Sequence, residues 1–239
     1  MIKSININAL KRTAKRNNWV IFDNHTKAYD LNLWVIRSAN REAGIFDDTL
    51  IVFWKVDAVK WEYRFYRVTA DPSEVSLFNS KNDLGVAIIK QGQHRGAWAL
   101  GLHKGQYDAL VQVGNITVIR DFNQDEWLDI PDCDELSHWK NVAPYRINVY
   151  KRQGRLVTEY LKNEQILYRT EVGSNMGINC HRASSWKILE RVGLYSEGCV
   201  VHHDPVKYKD EFIPLMKQSA ANWDNKFSFV LCHEEQLYY

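Results

Sequence analysis

Two side chains in this chain have the type and local setting for nucleophilic chemistry. They are His181, in Gly177-Ile-Asn-Cys-His181-Arg, and Cys199, in Ser196-Glu-Gly-Cys199-Val-Val. A cysteine attacks as its thiolate and needs a base or a positive neighbour near neutral pH, a part that histidine usually plays. It also needs donors for the oxyanion that the attack creates. Gly198 permits a sharp turn that aims successive N–H groups at one point, and Ser196 belongs to the same turn. The plainer alternative is a buried, inert thiol and an unrelated histidine, since free cysteine is among the most buried residue types. Cys133, Cys180 and Cys232 lie in no such turn. With no Cys-x-x-Cys spacing, neither a zinc knuckle nor a disulfide framework is expected.

Segment 177–201 resembles the L,D-transpeptidase (YkuD-like) family, whose motif is a histidine, a variable loop, then Ser-His-Gly-Cys-hydrophobic-Arg. Upstream, Tyr66-Arg-Val-Thr-Ala-Asp-Pro72 and Leu84–Ile89 resemble that family's strand, turn and following strand. Leu31–Ser38, Gly101–Gln112 and Ile119–Asn123 resemble a branch found in phages and gut bacteria. The resemblance implies Cys199 as nucleophile, His181 as base, and Ser196 and Gly198 in the catalytic turn. It also implies that a backbone carbonyl at Arg182 orients the imidazole. Arg182, Glu197 and His103 are assigned to substrate contact. Two positions depart from the motif: Glu197 stands at its second histidine and Val201 at its arginine. A carboxylate beside a thiolate raises the thiol pKa, so Glu197 is expected to point away or to meet a substrate amine.

The activity implied is attack on an amide of the stem peptides of bacterial peptidoglycan, through an acyl-enzyme. Water as acceptor makes the chain an endolysin-type cysteine peptidase, a hydrolase; an amine acceptor makes it an L,D-transpeptidase. The departures at Glu197 and Val201 favour the alternative of a non-catalytic wall-binding or virion module.

These residues must be held by a scaffold, and the sequence describes one. The fold expected is mostly β (α+β), a mixed β-sandwich of the L,D-transpeptidase type with a short N-terminal helix and a helix near the C-terminus. Residues 4–17 read as the first helix, with Ser4 as N-cap, Ile7, Leu10 and Ala14 on one face, and Asn17-Asn18 at the end. From Trp19 to Tyr168 β-branched and aromatic runs dominate: Leu31–Ile36, Thr49–Trp54, Trp61–Val68, Val86–Ile89, Tyr107–Val113 and Ile116–Ile119. Gly92, Gly96, Gly105 and Gly114-Asn115 punctuate them. Ile178–Cys180 is expected to be the strand that carries His181, and 183–195 a connecting loop. Asp204-Pro205 opens the last helix, in which Pro214 predicts a kink or break, and Phe227–Cys232 is a final strand. With no repeats or linkers, 1–239 reads as a single catalytic domain, with 1–30 as helix and lead-in and 177–201 as the active-site segment.

Composition narrows the partners. A net charge of +2 with scattered basic residues argues against nucleic acid. No apolar run reaches the roughly 20 residues of a membrane span, and the N-terminus lacks the apolar centre of a signal peptide. The expectation is synthesis in the cytoplasm, with access to the wall after release, for instance by a phage holin. No cofactor is required. His202-His203-Asp204 with His94, His103 or His181 could ligate zinc, but adjacent histidines on a strand face opposite ways. Asp121, Asn123, Asp125 and Asp129 fit positions 1, 3, 5 and 9 of a calcium loop, with Asp132 at position 12. Glu126 sits where the sharp-turn glycine belongs. A solvated acidic turn is the preferred reading, and a structural calcium the alternative.

Overall fold

A computed structural model describes residues 5–123, 127–128 and 146–238. The calcium-loop residues Asp125, Asp129 and Asp132, together with Cys133 and Ser4, lie outside the described residues.

Helix α1 spans Ile7–Asn17 and is capped by Asn6, whose side chain accepts from the Ala9 N–H at 3.0 Å. The cap is therefore two residues later than Ser4, because Asn6 is the extended residue with an oxygen in reach of a free first-turn donor. Asn18 closes the helix in the left-handed conformation that asparagine tolerates.

The strands follow in order. They are β1 Asn32–Arg37, β2 Asp48–Lys55, β3 Trp61–Thr69, β4 Val86–Ile89, β5 Gly92–His103, β6 Tyr107–Gln112, β7 Ile116–Asp121, β8 Arg146–Arg152, β9 Arg155–Lys162, β10 Gln165–Gly173, β11 Cys180–Arg182, β12 Val200–His202 and β13 Phe227–His233. A short helix, α2 (Glu74–Phe78), lies between β3 and β4.

The structure is mostly β and holds two sheets among the described residues, as expected. One of them closes on itself as a barrel in the order β1-β13-β5-β6-β11-β12-β3-β2, and the other is open, in the order β4-β7-β10-β9-β8. The barrel is mixed: β1 runs parallel to β13 and β11 parallel to β12, and its other pairs are antiparallel.

Burial explains why β1 is a continuous apolar run. Leu33 and Val35 point into the barrel with Leu50, Val52, Phe229 and Leu231. Trp34 and Ile36 point outward beneath Leu10 and Ala14 of α1. A strand covered on both faces needs no polar alternation. Strand β5 escapes a reading by punctuation because Gly92 and Gly96 lie within it; both adopt positive φ, which bends the strand without ending it.

The C-terminal helical segment plugs the barrel. Asp204 caps it through the Val206 and Lys207 N–H groups, and α3 (Pro205–Lys207) leads into a π-helical turn, Tyr208–Phe212. Then α4 (Ile213–Asn222) follows without a gap in helical backbone, so Pro214 lies inside a continuous run, directly after the π-helical turn. Where the sequence predicts a kink or break, the helix continues, and the irregularity is that π-helical turn. Tyr208, Phe212 and Met216 fill the barrel interior.

Candidate active site

Strands β11 and β12 lie side by side in parallel, with Cys180 opposite Val200 and His181 opposite Val201. Side chains alternate along a strand, and opposite residues share a face. Cys180, Val200 and His202 therefore enter the barrel, while Asn179, His181, Cys199 and Val201 face the other way. The packing agrees: Cys180 and Val200 belong to the barrel core, whereas Val201 packs with Phe46, Ala183, Val192 and Cys199.

The turn before Cys199 is tightly held. The Ser196 hydroxyl donates to the Asp71 carbonyl at 2.9 Å and accepts from the Gly198 N–H at 3.2 Å. The Ser196 carbonyl accepts from the Ser73 N–H and the Ser76 hydroxyl. Gly198 has φ of 115°, and a Cβ there would collide with the Ala87 carbonyl oxygen, so only glycine fits. Asp71 is itself anchored by the fully buried Arg37, 2.9 Å away.

At the end of this turn the Cys199 sulfur receives the Asn179 N–H at 3.4 Å and lies 3.4 Å from the Gly177 carbonyl. His181 Nδ1 is 2.9 Å from the Arg182 carbonyl. A carbonyl only accepts, so Nδ1 carries the proton and Nε2 is left with its lone pair. The Tyr107 hydroxyl donates to the same carbonyl at 3.3 Å. No hydrogen bond joins His181 to Cys199 among the described residues, and His181 Nε2 has no partner there.

His103 stacks on His181 with ring centroids 4.2 Å apart. Asn179 links the two sides of the site. Its Oδ1 accepts from the Gln112 N–H at 2.8 Å, which turns its Nδ2 toward His103 Nδ1 at 3.3 Å.

His103, His181, Asn179 and Cys199 line a cavity of about 600 Å³. Gly85–Ala87 also line it, Ala87 against the Gly198 turn, and its lining includes Tyr195, Lys104 and the Lys81–Glu197 ion pair at 2.8 Å. Burial pushes the Cys199 thiol up to about 11; the Asn179 N–H and the charge of Lys104 oppose this, and Glu197 adds to it. Burial holds His181 down to about 4, assisted by His103 and Lys104. His103 is also lowered by burial and Lys104. The resting site is thus a neutral thiol beside a neutral imidazole.

The residues expected from the sequence divide. Cys199, His181, Gly198, Glu197 and His103 gather at or beside the cavity. Ser196 is buried in the turn, where it positions Cys199 and touches no ligand space. Arg182 requires a correction: its side chain is not on the cavity. The guanidinium lies over the Tyr107 ring, 4.3 Å from the centroid, and donates to the Ser184 carbonyl. Only its backbone carbonyl serves the site. Asp121 is buried at the end of β7, and no group of three or more His, Cys, Asp or Glu is placed to hold a metal among the described residues. Trp98 is a core residue stacked on Phe229, and Tyr195 lines the cavity. Asn179, Tyr107 and Lys104 were not anticipated. Strand periodicity puts Asn179 beside His181 on one face, a signal available two residues away. Tyr107 and Lys104 come from a distant hairpin and carried no local signal.

No protein-family model, curated protein or solved structure matches this chain. No helix among the described residues is long and apolar enough to cross a membrane.

Proposed function

We propose that the chain is a cysteine-dependent acyl-transfer enzyme that acts on the stem peptides of peptidoglycan. The observation that carries this reading is the orientation of His181, whose Nδ1–H is fixed on the Arg182 carbonyl so that the basic Nε2 faces the cavity shared with Cys199. The core histidine His94 also sets one ring nitrogen on a backbone carbonyl, but its other nitrogen is engaged by the Thr117 N–H, whereas the second nitrogen of His181 is left free on a cavity wall shared with Cys199. The resemblance of segment 177–201 to L,D-transpeptidases supplies the substrate class. A cavity of about 600 Å³ suits a short peptide, within the usual range for ligand pockets.

In this reading His181 Nε2 takes the thiol proton as sulfur attacks the amide carbonyl. The leaving amine takes the proton back, and the acyl group stays on Cys199 as a thioester. With water as acceptor the chain is a hydrolase of the endolysin type; an amine acceptor would make the same intermediate a transpeptidase. In a lytic setting a phage holin is the kind of partner that would open the way to the wall.

One observation favours the second reading, a non-catalytic wall-binding module. The motif's arginine position is Val201, buried among Phe46, Ala183 and Val192, so no cation can stand there for a substrate carboxylate. Mass spectrometry of muropeptides from purified sacculi separates the two. The enzyme reading predicts cleaved or exchanged stems with the wild type and none with Cys199→Ala. A wild type that binds sacculi and leaves every stem intact supports the binding module.

A further inference from the structure

The turn that carries Cys199 is short of oxyanion donors. Two convergent donors are the usual minimum for a tetrahedral intermediate. The Gly198 N–H is already engaged by the Ser196 hydroxyl, which leaves the Cys199 N–H. The Tyr107 hydroxyl donates to the Arg182 carbonyl, so it is also committed. A second donor must come from elsewhere on the cavity wall.

We propose that His103 is this donor, held as the Nε2–H tautomer by Asn179. The assignment follows from a chain of hydrogen bonds that has one consistent direction. The Gln112 N–H can only donate, so the atom of Asn179 facing it is the carbonyl oxygen. The other end of that amide is then the NH₂, and it donates to His103 Nδ1. A neutral His103 with Nδ1 as acceptor carries its proton on Nε2. That atom has no protein partner among the described residues, and His103 lines the cavity. The two stacked rings therefore hold opposite tautomers: His181 offers a lone pair at Nε2, and His103 offers a proton.

This rests on the acyl-transfer reading and assigns the work within it. The Cys199 proton moves to His181 Nε2 as the S–C bond forms. The carbonyl electron pair moves onto oxygen, which the Cys199 N–H and the His103 Nε2–H then hold. When the intermediate collapses, the C–N bond breaks and the amine leaves with the proton from His181. His103 keeps its proton throughout, and its lowered affinity for a second one keeps it neutral.

The test compares two reactions of the same thiol. Acylation by a soluble disaccharide-tetrapeptide digest of peptidoglycan passes through an oxyanion, whereas alkylation by iodoacetamide does not. His103→Phe retains an aromatic ring to stack on His181 but removes the donor. Acylation of Cys199, followed by intact mass, should fall about 100-fold or more, the scale of one lost oxyanion donor. Alkylation should change less than about threefold. A parallel fall in both rates would mean a structural role and would overturn the assignment, as would unchanged acylation. Nitrogen-15 NMR of the wild-type imidazoles needs no variant and no substrate: it should find His103 protonated on Nε2 and His181 on Nδ1. His103 protonated on Nδ1 rules out the donor whatever the activity. A wild type that is alkylated at Cys199 but never acylated contradicts the enzyme reading itself and takes this assignment with it.

Discussion

The two faces of the β11–β12 pair carry the same residue types and differ in almost everything else. On the barrel side are Cys180 and His202; on the cavity side are Cys199 and His181. His202 is ringed by Tyr66, Tyr208 and Phe212, and its Nε2 is buried without a partner. Burial drives it down to about 3, and Cys180 is driven well above the usual thiol range. The cavity-side pair is also desolvated, yet each group there has an oriented neighbour: the Arg182 carbonyl for His181, the Asn179 N–H for Cys199. A cysteine and a histidine become candidates for chemistry through oriented partners and access to a cavity. Their residue types alone would not distinguish the two faces.

The largest expected effect involves both faces at once. His94, His181, His202 and His233 are all held neutral, near 4, 4, 3 and 3 respectively. Each binds a proton more readily in the unfolded chain, near 6.5, than in the folded one. Their contribution to stability is therefore complete above pH 6.5 and is lost as pH falls toward 4. Each contributes up to about 1.4 kcal/mol per pH unit in that window. Asp30, Asp47 and Asp48, whose pKa values are raised, work in the opposite direction above the ordinary carboxylate range, and Asp48, raised well above it, offsets part of the histidine loss. Urea unfolding at pH 7 and pH 5 should show a loss of several kcal/mol, and equal stability at the two pH values would contradict the buried neutral histidines.

The next effect separates the faces. His181→Gln should lower acylation about 100-fold or more, the scale of a lost general base. In the wild type kcat/KM should rise with pH through an ionisation near 4, because the imidazolium cannot accept the thiol proton. It should then stay level to about pH 8, since the thiol keeps its proton until about 11. Brief assays started from protein stored at pH 7 keep this rise apart from acid unfolding. His181→Gln should lose the rise.

Cys180→Ser affects the other side. It buries a hydroxyl in an apolar core, which costs about 1–3 kcal/mol in denaturant unfolding if no partner is found. Activity should stay within about twofold, because the side chain faces away from the cavity. Activity lost with stability intact would mean that the faces are reversed. The smallest effect is expected of Glu197→Gln. Removing a charge that raises the Cys199 pKa should speed alkylation at neutral pH by about twofold, on the scale of an exposed interaction.

Much of this contrast was legible in the sequence. Strand period places Cys180 and His181 on opposite faces, and the Ser-x-Gly-Cys turn marks Cys199. Six strands between residues 31 and 121 lie within two residues of their apolar runs; β1, β2 and β4 are covered on both faces and so read as continuous apolar stretches, whereas β3 and β6 are marked by β-branched and aromatic residues on half-exposed strands. Closure into a barrel was not legible, because it depends on the parallel pairing of β1 with β13, nearly 200 residues away. The rotation of Arg182 onto Tyr107 was hidden for a similar reason: the ring that receives it comes from β6. The Asn179 bridge joins three segments through one amide, and no spacing rule announces it.

If Cys199 is the nucleophile, it alone forms a thioester, while Cys180 and Cys232 stay inert in the core. Incubating the protein with a muropeptide digest, quenching in acid and mapping the adduct by peptide mass spectrometry tests it directly. A hydroxylamine-sensitive acyl group is expected on the peptide containing Cys199 and is expected to be absent from Cys199→Ala. An acyl group on any other residue, or turnover of muropeptides by Cys199→Ala, would contradict it.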